Sequence, residues 1–129
     1  MKYYISKTIK CDFEEAVRKV RQALEHSDLS VVSELDMRQK LYEKLHIDFR
    51  NYTILGICNP SFAYQALIRE DKIGTMIPCN LVIQEISNGL VEIASIDPAI
   101  SIQAIGNDSL IEIADHLKGD LQKIIESLY

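Results

Sequence analysis

The chain of 129 residues carries a net charge of −5, and hydrophobic residues make up 47% of it. This length and composition predict a single domain, residues 1–129, whose hydrophobic core needs no disulfide or metal. The acidic charge and the absence of a lysine- or arginine-rich cluster disfavour a nucleic-acid-binding protein. An odd number of cysteines, no secretory signal and no apolar run of about 20 residues predict a reduced cytoplasmic protein with no membrane role.

The first part of the sequence predicts a strand, an amphipathic helix and a second strand. Residues Lys2–Ile9 alternate apolar or aromatic side chains with polar ones, which is typical of a strand. A helix is predicted from Asp12, which caps it together with Glu15; its apolar face comprises Phe13, Ala16, Val17, Val20 and Leu24. From Leu29 to Met37 the period changes to two, which predicts a half-exposed strand with Val31, Leu35 and Met37 on one face.

The middle of the sequence combines short helices with an apolar strand. Arg38–His46 is predicted to be helical, with Leu41, Tyr42 and Leu45 packed inward. Tyr52–Ile57 predicts a third strand, and Pro60 suits the first turn of the helix that follows. The loop Asp71–Pro78 contains apolar Met76, and it is interpreted as a cover over the core or, alternatively, as a lid over a site.

The last part of the sequence predicts a hairpin and a long helix. Cys79–Ile86 and Leu90–Ile96 flank Asn88-Gly89, a dipeptide typical of a two-residue hairpin turn. Asp97-Pro98 ends the second of these strands, and Asn107 or Asp108 caps a terminal helix with a wide apolar stripe. The order βαβ(α)β(α)ββα predicts an α+β two-layer sandwich, in which a mainly antiparallel sheet packs against the long C-terminal helix.

Two cysteines, each followed by asparagine, form the most distinctive pattern in the sequence. Cys58-Asn59-Pro60 ends the third strand, and Pro78-Cys79-Asn80 begins the fourth. If these strands pair antiparallel, both thiols lie at one edge of the sheet, whereas a parallel crossover would separate them. Cys58 also precedes a helix amino terminus, where free N–H groups stabilise a thiolate.

The residues themselves leave several interpretations of this pair open. Cys58 and Cys79 are candidate catalytic residues of a thiol enzyme or redox protein, with Cys58 as nucleophile and Cys79 as its resolving partner. They are also candidate ligands of a soft metal such as copper(I), although no CxxC or Cys/His spacing supports a metal site. The alternative is structural, because a free cysteine is often buried and packs like a small hydrophobic residue.

Three blocks of the sequence are similar to the domain-of-unknown-function 302 family. They are EKLHIDFRNYTILGICNPSFAYQAL, IGTMIPCNLVIQE and ASIDPA, which contain Cys58-Asn59-Pro60, Pro78-Cys79-Asn80 and Asp97-Pro98. The resemblance implies a TATA-binding-protein-like α+β fold, with a curved antiparallel sheet around the C-terminal helix, and a homodimer. It implies neither DNA binding nor a defined activity.

The predicted function is therefore that of a small binding protein. We expect a small molecule or a soft metal to bind in a pocket formed by Cys58, Asn59, Pro60, Pro78, Cys79 and Asn80. A thiol-dependent redox protein or enzyme, and a structural or interaction module that acts as a dimer, are the alternatives. No nucleic acid or membrane is expected as a partner, and the sequence leaves open whether the protein is an enzyme.

Overall fold

The computed structural model describes residues 2–129, which form five strands, five α-helices and two 3₁₀ turns. The strands are β1 (Tyr4–Lys10), β2 (Ser30–Asp36), β3 (Tyr52–Cys58), β4 (Cys79–Ser87) and β5 (Leu90–Ile96). The helices are α1 (Phe13–Glu25), α2 (Met37–Leu45), α3 (Pro60–Arg69), α4 (Pro98–Gln103) and α5 (Ile111–Ser127). The 3₁₀ turns are Ile73–Met76 and Asp108–Leu110. Within residues 2–129, no helix has both the length and the apolar character needed to cross a membrane.

The five strands form one antiparallel sheet in the order β1-β5-β4-β3-β2. The predicted hairpin at Asn88-Gly89 is confirmed, since Ser87 pairs with Leu90 and Gly89 adopts a positive φ of 80°. Because every neighbouring pair is antiparallel, β3 and β5 run in the same direction on either side of β4. The carboxyl ends of β3 and β5 therefore lie at the same sheet edge as the start of β4.

Helices α1 and α5 cover one face of the sheet and enclose the main core. They contribute Ala16, Val20, Leu24, Leu121, Ile124 and Ile125, which pack against Leu55, Ile57, Leu81, Ile83, Val91 and Ile93 of the central strands. Alternation along each strand directs these odd-numbered strand residues towards the helices. The predicted α+β two-layer architecture, with its antiparallel sheet and long C-terminal helix, is confirmed.

The end of α5 is held by a lysine from the first strand. The Nζ atom of Lys7 donates to the carbonyl oxygens of Leu128, at 2.6 Å, and Glu126, at 3.0 Å. A positive charge at this end also favours the helix dipole. Lys19 of α1 donates to a backbone oxygen of Tyr129, so β1 and α1 each supply a lysine that holds the end of α5 and the residues after it.

The predicted faces of β2 are wrong, because a β-bulge interrupts the strand. Val31 pairs with Ile57, but Ser33 pairs with Gly56 and Leu35 with Ile54, so the register shifts by one residue between Val31 and Ser33. One inserted residue moves all later side chains to the opposite face. Leu35 consequently shares a face with half-buried Ile54, away from the helices, and is 38% exposed.

The predicted inward packing of α2 is wrong for Tyr42 and Leu45, whereas Leu41 is half-buried. Tyr42 and Leu45 are 61% and 60% exposed, and Ile47 after the helix is 47% exposed. The helix is fixed by its ends instead: Asp36 accepts from the Gln39 backbone N–H at 3.0 Å, and His46 ends it with a φ of 55°.

Helix α4 was not expected from the sequence, which predicted only a chain break at Asp97-Pro98. The Asp97 carboxylate accepts from the Ala99 backbone N–H at 3.0 Å, and Pro98 occupies the first helical turn. A proline there loses no hydrogen bond and presets the backbone for a helix. The dipeptide therefore starts a helix at the end of β5, as Asn59-Pro60 does at the end of β3.

Candidate functional site

Cys58 and Cys79 lie at the sheet edge where β3 ends and β4 begins. Antiparallel pairing places Cys79 directly opposite Ile57, the residue before Cys58. The antiparallel arrangement that would bring the two C-N segments to one edge is therefore present. Neither cysteine is in a disulfide, and both are half-buried.

An apolar cavity of about 70 Å³ lies beside this edge. It is bounded by the ends of β3 and β4, by α3, by the Ile73–Met76 turn, by α4 and by the first half of α5. Its polar wall residues are Cys58, Asn59, Cys79 and Ser101. The remaining wall is apolar: Ile57, Phe62, Ala63, Ala66, Ile73, Met76, Ile77, Pro98, Ile102, Leu110, Ile113, Ala114 and Leu117.

Of the six residues predicted to bind a ligand, three line this cavity and three lie outside its wall. Cys58, Asn59 and Cys79 are in the wall. Asn80 is exposed and pairs with Gly56, so strand alternation directs it to the face opposite Cys79. Pro78 packs beside Gly56, where an added β-carbon would lie 2.8 Å from its Cγ atom, and Pro60 is exposed at the start of α3.

Asn59 has a defined structural role at the first turn of α3. Its Oδ1 atom accepts from the backbone N–H groups of Ser61, at 3.0 Å, and Phe62, at 3.3 Å. These bonds satisfy two donors that a helix start leaves free. Only 9% of the Asn59 surface is exposed, so the residue is both the helix cap and a buried part of the cavity wall.

The environment of Cys79 favours a protonated thiol. Burial raises the pKa of Cys79 to about 11, and the neighbouring Cys58 adds to the shift. A thiolate is the form that attacks disulfides and binds metals, so a raised pKa makes Cys79 less reactive at neutral pH.

The cavity wall, as the described part of the chain forms it, contains no charged side chain. Asp97 and Lys118 form an ion pair outside this wall, with their Oδ2 and Nζ atoms 3.0 Å apart; Asp97 is 6% exposed and caps α4. Among residues 2–129 there is no group of three or more His, Cys, Asp or Glu side chains placed to hold a metal ion. A soft metal would have to use Cys58 and Cys79 with the thioether of Met76, which also lies in the wall.

Comparison with known families shows which family the chain belongs to. Residues 5–128 match the family described as Domain of unknown function DUF302. The chain belongs to the DUF302 family. It is also similar to the structure described as "Crystal structure of uncharacterized conserved protein DUF302 from Bacillus stearothermophilus", with 23% identity over the whole of both chains and a TM-score of 0.92. No functionally curated protein matches the chain.

The three blocks of this DUF302 chain converge at one sheet edge. Cys58-Asn59 and Cys79 contribute directly to the cavity wall, and Asp97-Pro98 begins the helix that supplies Pro98, Ser101 and Ile102 to it. Sequence reasoning missed Ser101, because α4 was not expected. The sequence does contain a signal for this helix, because Asp97-Pro98 follows a strand just as Asn59-Pro60 does, and an Asx-Pro dipeptide favours a helix start. The prediction above applied this rule only to Asn59-Pro60.

Proposed function

We propose that this DUF302 chain binds a small, largely apolar molecule in the cavity beside Cys58 and Cys79. The supporting observation is an apolar pocket bordered by six elements, β3, β4, α3, the Ile73–Met76 turn, α4 and α5, in a chain whose main core residues are almost entirely buried. A mainly apolar pocket with a few polar groups in its wall is the usual form of a small-molecule binding site.

The volume limits the size of the ligand. A cavity of about 150 Å³ accepts benzene, so one of about 70 Å³ suits a molecule, or part of one, of fewer than about six non-hydrogen atoms. The Ile73–Met76 turn lies in the wall, and Met76 is 40% exposed. We propose this turn as the lid through which a ligand enters, which is the second of the two interpretations that the loop sequence allows.

The chemistry of the wall favours a neutral ligand over the two alternatives that use thiolates. Metal binding and disulfide exchange both need Cys79 to lose its proton, and its pKa is raised to about 11. The setting we propose is the reducing cytoplasm, where the free thiols of Cys11, Cys58 and Cys79 persist.

The test is a ligand screen by thermal shift and by NMR on the reduced protein, with small neutral molecules and copper(I) as separate arms. Wild type is compared with Ala66→Val, which occupies the cavity, and with Cys58→Ser and Cys79→Ser. Cys11→Ser is the matched control, because Cys11 packs against the main core, apart from the cavity wall. We expect neutral ligands to stabilise wild type and Cys11→Ser but not Ala66→Val.

The alternatives give different results in the same screen. Stabilisation by copper(I) alone, lost in both Cys58→Ser and Cys79→Ser, would support the metal site instead. Thiol reactivity at Cys58 with an apparent pKa well below 8.5 would support the redox alternative. If no arm distinguishes wild type from Ala66→Val, the cavity is not a binding site.

A second candidate function is self-association through β2 and α2. β2 is an edge strand without lysine or proline, although it contains Glu34 and Asp36, whereas the other edge strand, β1, carries exposed Lys10, a typical protection against edge pairing. Exposed apolar residues lie in β2, in α2 and directly after α2: Val32, Leu35, Tyr42, Leu45 and Ile47. We propose that a second copy of the chain covers them.

Light scattering on wild type and Val32→Lys tests the self-association proposal. A dimer that becomes monomeric in the variant supports it, whereas a monomeric wild type at high protein concentration rules it out. Lys10→Glu, a substitution on the opposite edge strand, is the control and should leave the mass unchanged.

A further inference from the structure

The amide nitrogen of Asn59 is the one part of this buried side chain that its helix cap does not use. The cap needs an acceptor, so the Oδ1 atom must face the N–H groups of Ser61 and Phe62, and the Nδ2 atom must face away from them. The orientation of the amide is thus fixed by its own bonds. Across residues 2–129, Nδ2 of Asn59 has no hydrogen-bond acceptor.

A second asparagine cap in the same chain shows what a fully used amide looks like. Asn107 accepts from the Ser109 N–H through Oδ1, at 3.1 Å. Its Nδ2 atom donates to the carbonyl of Arg69, at 3.1 Å, and to Glu70 Oε1, at 3.3 Å. Asn59 makes the first kind of contact but not the second, although it is the more buried of the two.

The Asn59 nitrogen is accessible rather than sealed into the protein. In the described part of the chain, no buried side-chain nitrogen or oxygen is both shielded from solvent and without a hydrogen-bond partner. The unpartnered Nδ2 atom therefore keeps some accessible surface. Asn59 is one of the residues of the cavity wall, so the cavity is the space to which we assign this donor.

The same site does not support an anion. The first donors of α3 are already used: Ser61 and Phe62 bind the Asn59 side chain, Ala63 binds the Asn59 carbonyl at 2.9 Å, and Pro60 has no N–H. Within the described chain, no charged side chain lines the wall, and a buried ion without a partner is strongly disfavoured. A neutral ligand with a hydrogen-bond acceptor can bind the free Nδ2 donor of Asn59 without the energetic cost of burying a charge.

From these observations, and resting on the proposed binding function, we propose that the ligand is an uncharged carbonyl compound of about four to five non-hydrogen atoms. Its carbonyl oxygen accepts a hydrogen bond from Asn59 Nδ2, and its alkyl part contacts the apolar wall formed by α3, α4 and α5. Ketones, aldehydes and amides share this chemistry, and the bond orients them towards the Cys58 and Cys79 edge.

The experiment uses three probes of the same size and shape: acetone, 2-methylpropene and acetate. They present a neutral acceptor, no acceptor and a charged acceptor, respectively. Binding is measured from NMR chemical shifts of the full-length chain and from the ¹³C shift of the acetone carbonyl. The variant is Asn59→Asp, since aspartate caps a helix as well as asparagine but has no N–H group to donate. Asn107→Asp is the matched control.

We expect Asn59→Asp to weaken acetone binding at least tenfold and to change 2-methylpropene binding by less than twofold. Acetate should bind wild type at least tenfold more weakly than acetone does. Asn107→Asp should leave all three affinities unchanged. If Asn59→Asp does not fold, Asn59→Gly is used in its place, since glycine is tolerated at a helix cap and has no side-chain donor.

The outcomes separate this inference from the proposed function. If acetone and 2-methylpropene both bind and respond equally to the Asn59 variants, the cavity binds ligands but the carbonyl contact is refuted. Acetate binding as tight as acetone binding also refutes the neutral acceptor. If no probe binds wild type, the proposed function fails with it.

Discussion

Filling the cavity should stabilise this protein, although most core enlargements destabilise one. Ala66 of α3 is 8% exposed and lines the cavity. Ala66→Val adds two carbons, which at roughly 0.8 kcal/mol each contribute about 1.6 kcal/mol if they enter empty space. Valine costs about 0.6 kcal/mol relative to alanine within a helix. The free energy of unfolding should therefore rise by about 1 kcal/mol.

Ala16→Val provides the matched control, because the same substitution meets a filled environment. Ala16 of α1 is 0% exposed in the main core and outside the cavity wall. Overpacking costs about 1 to 3 kcal/mol, so with the same helix penalty the free energy of unfolding should fall by about 2.6 kcal/mol. The two variants then differ by about 3.6 kcal/mol. With an m-value of about 2 kcal/mol/M, the urea midpoint should rise by about 0.5 M in Ala66→Val and fall by about 1.3 M in Ala16→Val. If Ala66→Val loses as much stability as Ala16→Val, the space beside Cys58 is not available to a side chain or a ligand.

Three further predictions concern the thiol edge, the end of α5 and the glycines. Between pH 9 and 11 the Cys79 thiol ionises in the unfolded chain but not in the folded chain. Rising pH should therefore lower the free energy of unfolding of wild type by about 2 kcal/mol relative to that of Cys79→Ala. Urea denaturation of both proteins at each pH measures this difference. Below pH 9 both states are protonated, and this effect should vanish. Lys7→Met removes two hydrogen bonds to the end of α5 and should lower the free energy of unfolding by about 2 kcal/mol. Lys10→Met, at an exposed position of the same strand, should change it by less than about 0.5 kcal/mol. Equal decreases in the two variants would refute the capping role of Lys7. Gly56→Ala places a β-carbon against Ser33 Oγ and 2.8 Å from Pro78 Cγ, and should lower the free energy of unfolding by about 3 kcal/mol in thermal denaturation. Gly119→Ala lies in open space within α5 and should raise it by about 1 kcal/mol. A tolerated Gly56→Ala would show that the residues around Gly56 move aside.

The sheet was predictable from the sequence because its main signals are local. Asn88-Gly89 specifies a tight hairpin by its backbone preferences alone, and the apolar stripe of α5 needs only the helical period. The faces of β2 were not predictable in the same way. The bulge after Val31 leaves the composition of the strand unchanged, and it is visible only in the pairing with β3.

The candidate site was partly predictable for a similar reason. Cys58 and Cys79 are conspicuous in sequence, and their proximity follows once β3 and β4 are antiparallel neighbours. Asn80 follows Cys79 just as Asn59 follows Cys58, but only Asn59 lies in the cavity wall. Strand alternation turns Asn80 to the other face, whereas Asn59 lies beyond the end of its strand and caps a helix. Ser101 could not be placed before α4 was recognised as a helix.

The pairing of β1 with β5 has a consequence for synthesis of the chain. Residues 4–10 are made well before their hydrogen-bonding partners, residues 90–96, and Lys7 is bonded to carbonyls at positions 126 and 128. A growing chain therefore carries an unpaired β1 and an uncovered apolar sheet until residues 90–128 have left the ribosome. Long-range closure of this kind is slow and leaves edges exposed to aggregation. Folding of this domain is thus expected to complete only after α5 has left the ribosome and docked.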